Sequence, residues 1–374
     1  MNKHDKTIRA RDLGLDLPGA PGPHNAITDV PGIMVGMTTL VEDLPRPGRP
    51  LPARTGVTAI LPRGYEAAPT PVWAGVHRFN GNGEMTGAHW IEDGGYFLGP
   101  VLLTNTHAVG VAHQAATRWM LARHERSFSG KFPLWLMPVV AETYDGLLND
   151  INGLPLAEAD VLAALDNARD GPVAEGNTGG GTGMVCYEYK GGTGTASRRI
   201  TVGGKDHLVG VMVQANHGIR DWLTVLGAPV GGHLREDRVL QDTGERGSIV
   251  IVIATDVPMA PHQLSRLARR GALGISRGGT SGGNSSGDIF LAFTTANKRP
   301  LPSDTPPTFR IEMINDDYCD PVYQAAVEAT EEAVINAMVA ARDMGGTPHD
   351  RAHVRAIDHA ALVDTLRRYG RLKS

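Results

Sequence analysis

A short apolar segment, residues 249–254, constrains the fold of this chain most strongly. Its residues are rich in β-branched side chains, and the polar, glycine-containing turn DTGERG precedes them. The run is too short for a comfortable helix, so it predicts a strand in the protein core. Ser248 occupies the first position of this strand, directly after Gly247. The chain therefore places a Gly-Ser bond at the junction between a turn and a buried strand.

The Gly247–Ser248 bond is a candidate for self-cleavage. Glycine permits backbone geometry that other residues avoid, which lets the Ser248 hydroxyl approach the carbonyl before it. Attack by Oγ and hydrolysis of the resulting ester would create a new N-terminus at Ser248. An α-amine has an ordinary pKa of about 7.7 to 8.0, so this residue could supply both nucleophile and base. The alternative is that the two residues simply begin a strand.

Composition favours a globular protein and gives no sign of a nucleic-acid or membrane partner. The chain has 374 residues, 41% of them hydrophobic and 20% charged, which is ordinary for a globular protein with a large core. The net charge of -4 and the absence of long Lys or Arg runs predict no nucleic-acid partner. No signal-peptide core or 18-residue apolar run is present, so we expect a cytoplasmic protein with no membrane partner.

Cysteines and histidines give no sign of a metal site or of disulfides. Cys186 and Cys319 stand alone, without CxxC or a neighbouring histidine pair, which favours two reduced thiols. The histidines are scattered and no HExxH motif occurs, so we expect no metal.

Helical and strand patterns alternate in groups along the chain. Apolar spacing predicts helices over 106–123, 155–171, 321–344 and 358–370, with short strands between these groups. It also predicts a helix that begins at Pro261 and ends near Gly271 or Gly274. The first 56 residues are dense in Pro and Gly and favour extended segments at the surface. The order predicts an α+β protein in which two facing sheets are covered by helices, a four-layer αββα sandwich. No linker divides 1–374, so we expect one domain.

Polar side chains follow two of the predicted strands. Glu142 and Tyr144 come just after a strand predicted over 133–140, and Asn216 ends a strand predicted over 208–215. An amide at such a position could donate to an oxyanion. Taken alone, Glu142 is better explained as an exposed carboxylate and Asn216 as a turn residue.

Three glycine-rich stretches invite functional interpretations. GNGEMTG, residues 81–87, is either a plain turn or a loop that lines a substrate site. The run 176–183 lacks a following Gly-Lys-Ser/Thr and a helix, so it is not a phosphate loop and no cofactor is expected. Residues 279–283 match the nucleophile elbow GxSxG, but a helix precedes them and a strand follows, the reverse of what an elbow requires.

Six segments together resemble the DmpA/BapA family of self-processing aminopeptidases, which includes L-aminopeptidase D-Ala-esterase/amidase and β-peptidyl aminopeptidases. In order they are ARDLG, GNGEMTG, VVAETYDGLLNDI, QANHG, ERGSIVIVIATD and NSSGDIFLAFTT. They span nearly the whole chain. The resemblance implies an αββα sandwich similar to N-terminal nucleophile hydrolases but with different connectivity. It also implies cleavage into chains 1–247 and 248–374 that stay together.

The resemblance assigns roles to the candidate residues. It implies that Ser248 is the nucleophile, that Asn216 and Tyr144 stabilise the oxyanion or position the substrate, and that Glu142 receives the substrate's free amine.

Ser286 and Asp288 match the family's second serine and nearby acid, which would orient the nucleophile and its amine. Asp288 is shorter than the glutamate of relatives. A tetramer of processed protomers is also implied.

The leading hypothesis is a self-activating serine aminopeptidase that releases N-terminal residues from short peptides, amides or esters through an acyl-Ser248 intermediate. Two alternatives stay open. One is acyl transfer to an amine, as in ornithine acetyltransferases of similar architecture, and the other is a non-enzymatic glycine-rich binding protein. The choice among α-L, D and β residues is not fixed by the sequence.

Overall fold

The strands and helices of the protein are defined by a computed structural model that describes residues 7–43, 53–125, 133–239, 244–245, 247–298, 307–346 and 352–373. The strands are β1 (Met34–Glu42), β2 (Ala53–Leu61), β3 (Val72–Gly81), β4 (Tyr96–Phe97), β5 (Val101–Asn105), β6 (Val139–Thr143), β7 (Val185–Cys186), β8 (Tyr189–Lys190), β9 (Gly192–Val202), β10 (Lys205–Asn216), β11 (Ser248–Thr255), β12 (Gly287–Thr294), β13 (Met344–Gly345) and β14 (His353–Val354). The helices are α1 (Ala88–Gly94), α2 (Val109–His124), α3 (Glu158–Asp166), α4 (Val230–His233), α5 (Pro261–Ala268), α6 (Arg270–Ser276), α7 (Asp320–Val339) and α8 (His359–Arg368).

The larger strands form two sheets. One has the order β1-β2-β5-β6 and the other β4-β3-β12-β11-β10-β9. The apolar strand β11 lies inside the six-stranded sheet, parallel to β12 and antiparallel to β10. In this register Ser248 lies opposite Asn216 on one side and Gly287 on the other. The start of β11 therefore meets the end of β10 and the start of β12 at one edge of the sheet.

Three apolar clusters separate four layers. One cluster joins the six-stranded sheet to α5, α6 and α7, a second fills the space between the sheets, and a third joins the four-stranded sheet to α2 and α3. Side chains of β11 alternate, with Ile249 and Ile251 in the first cluster and Val250 and Val252 in the second. This confirms the αββα sandwich. The same alternation directs Ser248 toward the space between the two sheets.

The N-terminal segment is more deeply integrated than its Pro and Gly content predicts. Residues 34–42 form the edge strand β1, and Leu15 and Ile27 are fully buried. The Arg11 guanidinium of the ARDLG motif donates to both oxygens of Glu332, a fully buried residue of α7, at 2.8 Å each. The expectation that this segment only wraps the surface is therefore wrong, because its charged and apolar side chains are anchored in the fold.

Several element boundaries differ from the predictions. The first strand after α2 in the four-stranded sheet is β6, which begins at Val139, so Glu142 lies inside the strand rather than after it. Helix α3 ends at Asp166 instead of continuing to Gly171. Within the described ranges, no helix combines the length and apolar character that crossing a membrane requires.

Candidate active site

An open cavity of about 670 Å³ lies beside the start of β11. Segments from both sheets contribute to it, and its lining residues are Asn82, Gly83, Glu84, Thr106, Glu142, Tyr144, Gly247, Ser248 and Ser285. Four of the predicted site residues, Gly247, Ser248, Glu142 and Tyr144, thus share one cavity, whereas Asn216, Ser286 and Asp288 are not among its lining residues. The loop 81–87 supplies part of the wall, which favours the substrate-lining interpretation of that loop over a plain turn.

The Ser248 side chain is buried, but its hydroxyl forms no hydrogen bond with the described residues. It is 3% exposed, and its Oγ has no hydrogen-bond partner among the described residues. Buried hydroxyls normally have partners, so an unbonded one that borders a cavity is a candidate functional group. Ser248 can therefore turn its hydroxyl toward an acyl group without breaking an existing bond.

The carbonyl group of Gly247 is held in place by the neighbouring strand. The Gly287 N–H donates to the Gly247 oxygen at 3.1 Å. A Cβ atom added to Gly247 would lie 2.4 Å from the backbone oxygen of Asn216, closer than any side chain can approach. Glycine is required here by the close approach of two backbones.

Asn216 has a fixed amide group with one hydrogen to spare. The Val185 N–H donates to Oδ1 at 2.8 Å, and Nδ2 donates to the Tyr144 carbonyl oxygen at 2.9 Å. Because Val185 can only donate, the oxygen and nitrogen of the amide are assigned by this network. The second Nδ2 hydrogen is available to a developing oxyanion. Asn216 and Ser248 lie directly opposite each other on antiparallel strands, a position that places their Cβ atoms about 5 Å apart.

Glu142 is a buried carboxylate that forms no ion pair within the described residues, although the nearby His107 favours its ionised form. It is 5% exposed; Oε1 accepts from the Glu84 N–H at 3.0 Å, and Oε2 accepts from the Thr106 hydroxyl. Burial raises the pKa of Glu142 above its ordinary range. No Lys, Arg or His of the described chain forms an ion pair with it. A buried carboxylate that no ion pair neutralises within the described chain is suited to receive a cation from a ligand.

Ser286 and Asp288 form a buried pair at the start of β12. The Ser286 hydroxyl donates to Oδ1 of Asp288 at 2.7 Å, and Asn80 Nδ2 donates to Oδ2 at 3.0 Å. Burial raises the pKa of Asp288. Asp288, although shorter than a glutamate, therefore still reaches Ser286. Neither residue donates to or accepts from Ser248 Oγ, so their action on the nucleophile stays a prediction.

The histidine nearest to Asn216 in the chain is not a base for this site. His217 is fully buried, and its pKa is lowered by burial to about 3, so its ring is neutral at ordinary pH. Its Nδ1 lies 3.8 Å from Cys186 Sγ. No histidine is among the residues that line the cavity. A base for Ser248 must come from another group.

Several residues that shape the site were not predicted. The sequence predicted Thr106 only as a residue at the start of a helix. Gly287 was not predicted because it has no side chain that could indicate a function. Both matter through contacts across the sheets, since Thr106 binds Glu142 and Gly287 binds the Gly247 carbonyl. The described ranges contain no group of three His, Cys, Asp or Glu side chains arranged to hold a metal.

Comparison with known proteins agrees with this geometry. Residues 25–352 match the model of peptidase family S58. The chain is 47% identical to β-peptidyl aminopeptidase BapA of Sphingosinicella microcystinivorans, over 97% of this chain and 93% of the relative.

Two solved structures are also similar. L-aminopeptidase D-Ala-esterase/amidase of Ochrobactrum anthropi, described as a variant of the Ntn hydrolase fold, superposes with a TM-score of 0.93 at 61% identity, covering 98% of this chain and 99% of that one. A β-aminopeptidase of Burkholderia sp. superposes with a TM-score of 0.84 at 46% identity, covering 97% and 99%.

Proposed function

Since this chain belongs to peptidase family S58 and is an aminopeptidase, we propose that it activates itself by cutting the Gly247–Ser248 bond. The observation that carries the proposal is the unbonded Ser248 hydroxyl at the edge of the same cavity as Glu142. Family membership also excludes the alternative hypothesis that the chain is a non-enzymatic binding protein.

Maturation proceeds by an N-to-O acyl shift. Ser248 Oγ attacks the Gly247 carbonyl carbon, the C–N bond breaks, and the hydroxyl proton passes to the released amine. Water then hydrolyses the ester to give a Gly247 carboxylate and a free Ser248 α-amine and hydroxyl. The Gly287 N–H, 3.1 Å from the Gly247 oxygen, supports this step because it stabilises negative charge on that oxygen.

Turnover uses the amine that maturation creates. The Ser248 α-amine accepts the hydroxyl proton while Oγ attacks the substrate carbonyl, and it later returns the proton to the leaving group. Asn216 Nδ2 donates its free hydrogen to the oxyanion, with Tyr144 beside it on the cavity wall. Ser286 and Asp288 orient the new N-terminus from the adjacent strand. Water finally releases the acyl group from Ser248.

Glu142 selects substrates that carry a free N-terminal amine. Its carboxylate accepts a charge-assisted hydrogen bond from the substrate ammonium, which places the following carbonyl next to Ser248. One relative is a β-peptidyl aminopeptidase and one solved structure is an L-aminopeptidase D-Ala-esterase/amidase. We therefore propose short peptides, amino-acid amides and esters as substrates, with no cofactor.

Hydrolysis of a panel of aminoacyl p-nitroanilides tests this function. The panel includes L-Ala, D-Ala and a β-residue, each with its N-acetylated counterpart as a control. The proposal requires release of p-nitroaniline from free-amine compounds and little from the acetylated ones. Equal rates on both sets would contradict it. Product analysis with an added amine acceptor measures any acyl transfer that competes with hydrolysis.

A tetramer of cleaved protomers and a cytoplasmic location remain proposals that the resemblance and composition support. Light scattering of the purified enzyme should give four times the protomer mass of 39.8 kDa. A monomer at assay concentration would contradict the tetramer, and cell fractionation tests the compartment.

A further inference from the structure

A second buried carboxylate, Glu245, lies two residues before the Gly247–Ser248 bond and outside the cavity. Glu245 is 7% exposed. Its Oε1 accepts from the Gly218 N–H at 2.7 Å, and its Oε2 accepts from the Gly283 N–H at 2.6 Å. The Thr280 hydroxyl lies 3.1 Å from one oxygen and 3.2 Å from the other. These contacts enclose the carboxylate on both oxygens.

All the partners of Glu245 within the described chain are neutral donors. Two are backbone N–H groups, which can only donate, so both oxygens of Glu245 have to accept. No described Lys, Arg or His forms an ion pair with it. Burying a carboxylate without a cation is unfavourable, and here the hydrogen bonds from Gly218, Gly283 and Thr280 offset that cost.

The partners of Glu245 connect to both strands that flank the scissile bond. Gly218 lies two residues after Asn216, and Asn216 lies opposite Ser248 in the sheet. On the other side, Gly283 accepts from the Ser286 N–H at 2.9 Å, and the next residue, Gly287, donates to the Gly247 oxygen. Glu245 thus ties the segment before the bond to the end of β10 and to the loop that leads into β12.

We propose that Glu245 is a positioning residue for self-cleavage, an inference that rests on the proposed function. It holds the Gly247 carbonyl against the Gly287 N–H while Ser248 Oγ forms the new C–O bond and the C–N bond breaks. Glu245 neither gains nor loses a proton in this step. After cleavage the substrate carbonyl is supplied from outside, so the effect of Glu245 falls on maturation more than on turnover.

The test follows maturation and turnover separately in the full-length chain. Wild type, Glu245→Gln and Thr280→Val are made by cell-free translation, and intact mass is followed with time. Turnover is measured as kcat/KM per mole of free Ser248 N-terminus. In Glu245→Gln the side-chain NH2 group faces a backbone N–H, and two donors cannot form a hydrogen bond. The variant therefore loses a hydrogen bond to a charged group, so the rate of maturation should fall at least about tenfold. Its kcat/KM should fall by much less.

Two further variants control for packing. Thr280→Val should slow maturation in the same direction, and Thr280→Ser, which keeps the hydroxyl, should restore it. Asp29→Asn is the matched control, because Asp29 is also a buried carboxylate that accepts from two backbone N–H groups and a serine hydroxyl, away from the cavity. It should mature at the wild-type rate.

The outcomes distinguish this inference from the proposed function. Maturation of Glu245→Gln at the wild-type rate would overturn the inference alone, as would an equal loss in maturation and turnover or an equal delay in Asp29→Asn. If wild type never splits, or if Ser248→Ala splits normally, self-cleavage itself is wrong.

Discussion

Replacing Glu142 by glutamine tests the proposal that the charge of its carboxylate selects the substrate amine. The substitution keeps the shape of the side chain and leaves a site that can still satisfy its neighbours. The amide oxygen can accept from the Glu84 N–H, while the amide nitrogen can donate to Thr106, whose hydroxyl both donates and accepts. Because burial already disfavours the ionised form of Glu142, the variant should be at least as stable as wild type at neutral pH.

The expected loss follows from the single interaction removed. A hydrogen bond between a carboxylate and an ammonium contributes about 1.5 to 3 kcal/mol, which corresponds to a fall of about 10- to 150-fold in kcat/KM. The pH profile adds a second signature. Glu142 binds the ammonium only when ionised, and its pKa is raised, so wild-type activity declines with falling pH sooner than an ordinary glutamate would dictate. The part of the acid limb that comes from Glu142 should disappear in Glu142→Gln, and the part that comes from protonation of the Ser248 α-amine should remain.

The assay compares kcat and KM for L-alanine p-nitroanilide and for propionyl p-nitroanilide, which lacks the amine. Glu84→Gln serves as the matched control, since Glu84 is an exposed residue that lines the same cavity and its change removes the same unit of charge. Thermal melting of each variant checks the fold.

Recognition of the amine by Glu142 is refuted if Glu142→Gln loses no more than Glu84→Gln. It is also refuted if the amine-free propionyl compound loses activity by the same factor as the alanine compound. Either result would mean that Glu142 acts on the reaction in general.

Three further changes test other parts of the site. Asn216→Ala removes the proposed oxyanion donor and should lower kcat by about 100- to 1,000-fold, so a loss below about tenfold would exclude that role. It also leaves the buried Val185 N–H without its acceptor, so Tm should fall as well and kcat is compared below the melting range. Gly247→Ala forces a Cβ to within 2.4 Å of the Asn216 carbonyl, and displacing the scissile carbonyl by about 1 Å should slow self-cleavage about 100-fold, as intact mass would show. Asp145 is fully buried, and burial raises its pKa from 3.8 to about 7, so the folded protein is stabilised by the protonated carboxyl and loses that stability as pH rises from about 4 to 7. The Tm of wild type should therefore fall relative to that of Asp145→Asn over this pH range. Tm values that change in parallel with pH would contradict this.

Periodicity and local chemistry predicted the layers of this fold well. The apolar run of β11 and the spacing in α2 and α7 are strong local signals, because burial on one or both faces leaves a regular pattern in the sequence. Strand β1 was missed, since its neighbours are rich in Pro and Gly and its pairing with β2 is a long-range contact that local pattern cannot express.

Motifs predicted Ser248 as the nucleophile, together with candidate residues around it, but they did not predict the residues that support Ser248. The roles of Gly287 and Glu245 depend on which backbone group lies opposite, and strand register is set by the whole sheet. The glycines of residues 176–183 show the same limit. They lack a phosphate-binding context, and the structure explains one of them by packing, since a Cβ on Gly180 would lie 2.0 Å from the buried Gln214 Oε1.

Intact mass and N-terminal sequencing of the purified, active enzyme test the central claim most directly. Cleavage after Gly247 divides the 374 residues into chains of 247 and 127, or about 26 and 13 kDa of the 39.8 kDa total. The smaller chain should begin Ser-Ile-Val-Ile with a free amine, and its amount should match the number of active sites. Full activity from an undivided 39.8 kDa chain would contradict the account.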